Sequence, residues 1–124
     1  HLRLTMYKRI SSTFNNKDLN KIKSELMDRF GNLPEYTENL ILLTKLRNNA
    51  KNLGIEKIRL NKTHGRIYFN SASNIDTQLL INLIHNDTNY KLYPDQSLGF
   101  SGEFINTEDR INKVKYLLNY LANH

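Results

Sequence analysis

The sequence contains no cysteine, so neither a disulfide framework nor a thiolate zinc site can hold the chain together, and a reducing, cytoplasmic setting is expected. Its five glycines, Gly31, Gly54, Gly65, Gly99 and Gly102, never cluster, which excludes a glycine-rich phosphate loop. Only two prolines occur, and no low-complexity run suggests disorder. No apolar run approaches the roughly 20 residues of a membrane span, and no signal peptide leads the chain, so no membrane partner is expected.

What is present is an ordinary globular composition, with 39% apolar and 24% charged residues in a chain of 124. That length fits one domain over residues 1–124 with one core. The chain starts at His1, already on helical periodicity and without an initiator methionine. It is therefore expected to be a piece of a longer polypeptide. The formal charge of +6 raises a nucleic-acid reading, but the cations are dispersed along the chain, as on a solvated basic surface.

Apolar residues at Leu2, Met6 and Ile10, with Tyr7 beside them, predict a helix over residues 2–12. Asn15 or Asn16 can cap a second helix, on which Leu19, Ile22, Leu26 and Phe30 recur at spacings of three and four. Gly31 suits its end, and Pro34 suits the first position of a third helix reaching about Leu53. The stripe expected on that helix is Tyr36, Leu40, Leu43, Leu46, Ala50 and Leu53, with Gly54 as its stop. The period then switches. "KIRLN" (57–61) and "RIYFN" (66–70) alternate around a turn expected to contain Gly65. Asp76 caps a short helix carrying Leu79, Leu80, Leu83 and Ile84. Tyr90 and Leu92, then Leu98 and Phe100, form a strand pair about a Pro94-Asp95 turn, and Asn106 or Thr107 caps a last helix bearing Ile111, Val114, Leu117, Leu118 and Leu121. The class is α+β: three N-terminal helices followed by β-β-α-β-β-α, with a mainly antiparallel four-stranded sheet.

Catalytic patterns are missing. His1, His64, His85 and His124 have no ligand partner at helical spacing, so no metal is expected. The serines form no nucleophile elbow. No catalytic residue and no cofactor are assigned. Tyr68, Tyr90, Tyr93, Phe69 and Phe100 could form a stacking platform, but alternating aromatics in strands read first as a core face and a covered face. Lys57, Arg59, Lys62 and Arg66, around the hairpin, make an accessory DNA- or RNA-binding module the alternative reading.

The stretch "SELMDRFGNLPE" (24–35) holds two carboxylates that folding does not require. Glu25 and Asp28 fall outside the apolar stripe, lie on one helical face, and stand toward the negative end of the helix dipole. They suit either local partners such as Lys21 or Arg29, or an acidic docking patch for a partner's arginines.

The blocks "RLTMYKRI" (3–10), "ELMDRFGNLPE" (25–35), "LGIEKI" (53–58), "GRIYF" (65–69), "LLINLI" (79–84) and the "YKL" and "LGF" pair (90–100) resemble the C-terminal domain of bacterial transcription-repair coupling factors. In that family the full protein is an ATP-driven DNA translocase that displaces stalled RNA polymerase and recruits the excision-repair protein UvrA. The motor lies outside this segment, so contact with DNA is implied through the parent protein. For this domain the resemblance implies regulation without catalysis. It is expected to dock on the UvrB-like module of the same polypeptide, mask the UvrA-binding surface and restrain the translocase. The positions matching Glu25 and Asp28 are implied to pair with arginines of that module.

Overall fold

The computed structural model describes residues 2–122, with side chains from Leu4 onward. His1 and His124 and the side chain of Leu2 lie outside the described residues. The chain divides between Asn49 and Ala50 into two compact units. Chain length suggests one core, whereas the buried residues are best described unit by unit.

The first unit is helical: α1 (Leu2–Ser11), α2 (Asn16–Phe30) and α3 (Glu35–Asn52), the last of which runs past the division. Asn15 caps α2, its side-chain oxygen accepting from the backbone N–H groups of Lys17 and Asp18, two donors that no helical carbonyl can satisfy. Ile10, Leu19, Ile22, Leu26 and Ile41 form the buried cluster, with Met6, Leu33 and Leu40 packed against it. Each fully buried aliphatic side chain contributes about 1.5–3 kcal/mol, and of the stripe expected on α2 Leu19, Ile22 and Leu26 are buried, while Phe30, in the last turn, is exposed. Gly31 ends α2 at φ 76°, and its N–H donates to the Met27 carbonyl at 2.9 Å.

Two details of α3 differ from expectation. Pro34 lies just ahead of the helix, its carbonyl accepting the first helical bond from Glu38 N–H. The buried face is also rotated. Thr37, Ile41, Thr44 and Asn48 face inward with Leu46, while Tyr36 and Leu43 are exposed. Two of these polar residues are satisfied in the interior: Thr44 Oγ1 donates to the Leu40 carbonyl, and Asn48 Nδ2 donates to the Thr13 carbonyl and to Asn16 Oδ1. A stripe drawn through the aliphatic residues alone therefore misplaces the helix face.

The second unit contains β1 (Ile55–Leu60), β2 (His64–Phe69), α4 (Thr77–Asn86), β3 (Tyr90–Leu92), β4 (Leu98–Ser101) and α5 (Thr107–Ala122). The element order and the four-stranded sheet match the pattern read from the sequence, and every strand pair is antiparallel, in the order β1-β2-β4-β3. Asp76 caps α4, and Asn106 Oδ1 accepts from Asp109 N–H at the start of α5. Ile67, Leu98, Phe100, Leu80, Leu83, Leu117, Leu118 and Leu121 are buried.

Gly65 is not in the turn. It pairs with Leu60 in the hairpin and with Phe100 in β4. A Cβ at this position would collide with the Phe100 ring, so glycine is required by close approach between strands. The turn is made instead by Asn61, whose side-chain oxygen accepts from the N–H groups of Thr63 and His64. His64 accordingly opens β2 and lies opposite Ser101.

Candidate functional site

Helix α2 presents Asn20, Lys21, Ser24, Glu25, Asp28 and Arg29 around one shallow surface depression. Leu19, Ile22 and Leu26 point inward from the same helix, so both carboxylates are carried on its solvent side. Glu25 is not paired with Lys21 or Arg29. Arg9 of α1 reaches it with both guanidinium nitrogens, Nη1 to Oε1 at 3.0 Å and Nη2 to Oε2 at 2.8 Å. This two-pronged geometry orients the carboxylate more firmly than a single contact can. The hydrogen bonds and charge of Arg9 hold the Glu25 carboxyl below the usual carboxylate range, and the same contact raises the Arg9 guanidinium. Both partners remain about half exposed, at 46% and 51% of their side-chain surface. Exposure at that level keeps the pair weak against water and salt.

Asp28 is exposed, and among the described residues it forms no ion pair. One carboxylate of the expected pair is thus already clasped from a neighbouring helix, and the other is open. Periodicity identified the face but not the clasp, because Arg9 lies sixteen positions away in sequence and only the packing of α1 beside α2 brings it near. A second bridge, Lys23 Nζ to Glu38 Oε2 at 3.3 Å, links α2 to α3.

The basic residues of the hairpin fall into different roles. Lys57, Arg59 and Arg66 share one face of the sheet, since Lys57 is opposite Tyr68 and Arg59 is opposite Arg66. Lys62 is in the exposed turn. Arg66 is locked in place: its Nε donates to Ser97 Oγ at 2.7 Å, its Nη2 meets Asp95 at 3.2 Å, and its guanidinium lies 3.7 Å from the Tyr93 ring centre. Ser97 also donates to Asp95 from its hydroxyl and its backbone N–H, and these bonds, with Arg66, hold the Asp95 carboxyl low. Residue types around the hairpin gave no sign of Asp95, Ser97 or Tyr93 as partners. The strand alternation of "YKLY" (90–93), which places Lys91 and Tyr93 on the face opposite Tyr90, was the available signal.

Among the described residues no group of three or more His, Asp or Glu side chains could hold a metal ion, and no helix is long and apolar enough to cross a membrane.

A transcription-repair-coupling factor from Buchnera aphidicola subsp. Acyrthosiphon pisum is 31% identical over 98% of this chain and 15% of its own length. The corresponding protein of Escherichia coli (strain K12) is 34% identical over 96% of this chain and 10% of its own length. The chain therefore spans only a small part of these relatives. A crystal structure of the C-terminal domain of transcription-repair coupling factor superposes with a TM-score of 0.72 at 14% identity, covering 96% of this chain and 78% of that one, which is a likeness of fold. The sequence model of the TRCF domain matches residues 1–80, a stretch that takes in the whole helical unit with both α2 carboxylates and the β1-β2 hairpin, and the chain belongs to that family.

Proposed function

We propose that this chain is a non-catalytic, autoinhibitory interaction domain of a transcription-repair coupling factor. It docks through the acidic face of α2 on arginines of the UvrB-like module of the same polypeptide, masks the surface that UvrA uses, and restrains the DNA translocase until RNA polymerase is engaged. The observation that carries this reading is Asp28, a carboxylate exposed on α2 without an ionic partner among the described residues, beside a Glu25 whose orientation Arg9 already fixes. Each carboxylate oxygen has a second lone-pair direction. An incoming guanidinium can therefore join Glu25 without expelling Arg9, giving an alternating arginine, carboxylate, arginine cluster.

A restraint of this kind must be breakable. Rim-exposed charge pairs set orientation and encounter more than tightness, and their strength falls with salt. A latch built on two exposed carboxylates can therefore be opened by a competing contact elsewhere in the polypeptide. The test is charge reversal, Glu25→Arg with Asp28→Arg, in the full-length protein. UvrA binding and DNA-stimulated ATP hydrolysis are expected to rise together. Unchanged UvrA binding and motor activity in a folded double variant contradict the reading.

A further inference from the structure

The face of the sheet opposite Tyr90 and Phe100 is organised in three rows that cross all four strands. Strand register gives a central row of Arg59, Arg66, Gly99 and Lys91. On one side of it stand Lys57, Tyr68, Ser97 and Tyr93, since Tyr93 N–H donates to the Ser97 carbonyl. On the other stand Asn61, His64, Ser101 and Asn89, joined by bonds from Asn61 N–H to the His64 carbonyl and from Ser101 N–H to the Asn89 carbonyl. Like charges directly opposite one another in an antiparallel pair are destabilising, so the Arg59 and Arg66 juxtaposition is not explained by folding. Asp95 offsets Arg66 alone, and neither Arg59 nor Lys91 forms an ion pair among the described residues.

Gly99 brings no side chain of its own to the centre of the row, and the Tyr93 ring packs over it where a Cβ would stand, between Arg66 and Lys91. The result is an open trough walled by Arg59 and Arg66 on one side and by Lys91 and Tyr93 on the other, with Asn61, Asn89, His64 and Ser101 at one end. At about 4.8 Å per strand spacing, the outer cations of the row stand roughly 14 Å apart, a width that two or three nucleotides of an extended strand can cross. The cations also lie on aromatic rings: Lys57 Nζ is 4.5 Å from the Tyr68 ring centre and Lys91 Nζ is 4.9 Å from that of Tyr93.

We propose that this trough binds a single strand of nucleic acid. Arg59, Lys91 and Lys57 contact backbone phosphates, and the faces of Tyr68 and Tyr93 that the lysines vacate receive bases. Arg66 acts as a positioning residue, fixed by Asp95 and Ser97 so that it holds the Tyr93 ring in place. The combination of phosphate-matched cations, ring faces and a row of amide and hydroxyl groups favours a single strand over an acidic polypeptide, which needs only the cations, and over a duplex, whose stacked bases cannot reach the rings. This inference is independent of the α2 docking surface and shares no residue with it.

The test is fluorescence anisotropy of the intact chain with a labelled oligodeoxythymidylate of about 15 nucleotides across a potassium chloride series. Binding is expected to weaken with salt at a log–log slope of about 2, the value for three phosphate contacts on a single strand. Arg59→Glu with Lys91→Glu is expected to weaken binding by about tenfold or more. Tyr68→Leu with Tyr93→Leu is expected to weaken it while leaving the salt slope unchanged, a signature of stacking. The control Lys17→Glu with Lys115→Glu makes the same change in net charge elsewhere and is expected to leave binding close to that of the parent chain. Circular dichroism establishes that each variant is folded. No binding at low salt, equal weakening by the control pair, tighter binding of a duplex of the same length, or equal displacement by polyglutamate each overturns the proposal.

Discussion

The helical unit and the sheet unit use polar side chains in opposite places. In the helical unit the best-satisfied polar group is beneath the surface: Asn48, 1% exposed, ties α3 to the Thr13 carbonyl and to Asn16, while beside it Arg47 donates to the carbonyls of Ser11 and Thr13 and stacks on Phe14. On α2 the ion pairs are exposed or half-exposed ones, Arg9–Glu25 and Lys23–Glu38. In the sheet unit the tight polar cluster is at the outer face itself, where Ser97, 2% exposed, joins Arg66 to Asp95. The lesson is that two charged surfaces on one chain can differ in rigidity. The ion pair on the α2 face is solvated and open to competition, whereas on the sheet face Arg66, Ser97 and Asp95 hold one another in place.

The largest expected effect comes from breaking the interior network. Asn48→Leu removes a donor to the Thr13 carbonyl and to Asn16 and forces an aliphatic group into its place, and should cost about 1–3 kcal/mol in urea unfolding, with little change in the denaturant slope. A destabilisation much below that range would show that the network under α3 does not hold the helical unit together.

Next in size is Ser97→Ala, expected to cost about 1 kcal/mol because it leaves Arg66 Nε without its acceptor and Asp95 without its hydroxyl donor. The pH dependence of stability sharpens the contrast. Asp95 is held low in the folded chain, so its contribution is present at neutral pH and is lost as pH falls through and below the ordinary carboxylate range. That acid-side loss should shrink in Ser97→Ala, since the Ser97 hydroxyl is the largest cause of the shift.

A smaller effect is expected at the alkaline end. Lys113 Nζ donates to the Tyr90 hydroxyl and lies over the Tyr90, Phe100 and Tyr116 rings. Burial of Tyr90 pushes its phenol up to about 12, so its contribution is full below about pH 10 and declines as pH rises through 12. Tyr90→Phe should flatten that decline in a pH series of melting temperatures. The smallest effect belongs to the α2 face: Glu25→Gln should leave the unfolding midpoint of the isolated chain unchanged, because the pair it breaks is solvated.

Helical spacing and, after Gly54, strand alternation were enough to give the order of helices and strands, because α2 and the β1-β2 hairpin bury an aliphatic face. The same logic failed on α3. Thr37, Thr44 and Asn48 sit on its buried face; Thr44 is satisfied by the Leu40 carbonyl of its own helix, and Asn48 by the Thr13 carbonyl and Asn16, partners that spacing along α3 does not reveal. It failed again at Gly65, whose role depends on the Phe100 ring of a strand more than thirty positions away. For the sites, the outward direction of Glu25 and Asp28 was legible from helical phase, but the Arg9 clasp was not. Lys57, Arg59 and Arg66 were found by their charge, while Lys91 joined them only through the β3-β4 pairing, which brings it across Gly99 in the same row. Tyr68 and Tyr93 lie half-buried on the sheet face opposite Phe100, covered there by Lys57, Arg66 and Lys91, and Tyr93 also lines the trough.

The most direct measurement of the docking reading is calorimetric titration of this chain with the separately expressed UvrB-like module, using the parent sequence, the Asp28→Arg variant and Asp28→Arg combined with an arginine-to-glutamate change on the module. Binding that is salt-sensitive, lost on reversal of Asp28 and restored by the compensating reversal is the predicted result. Equal affinity for the parent and the Asp28→Arg chain, with both folded, contradicts it.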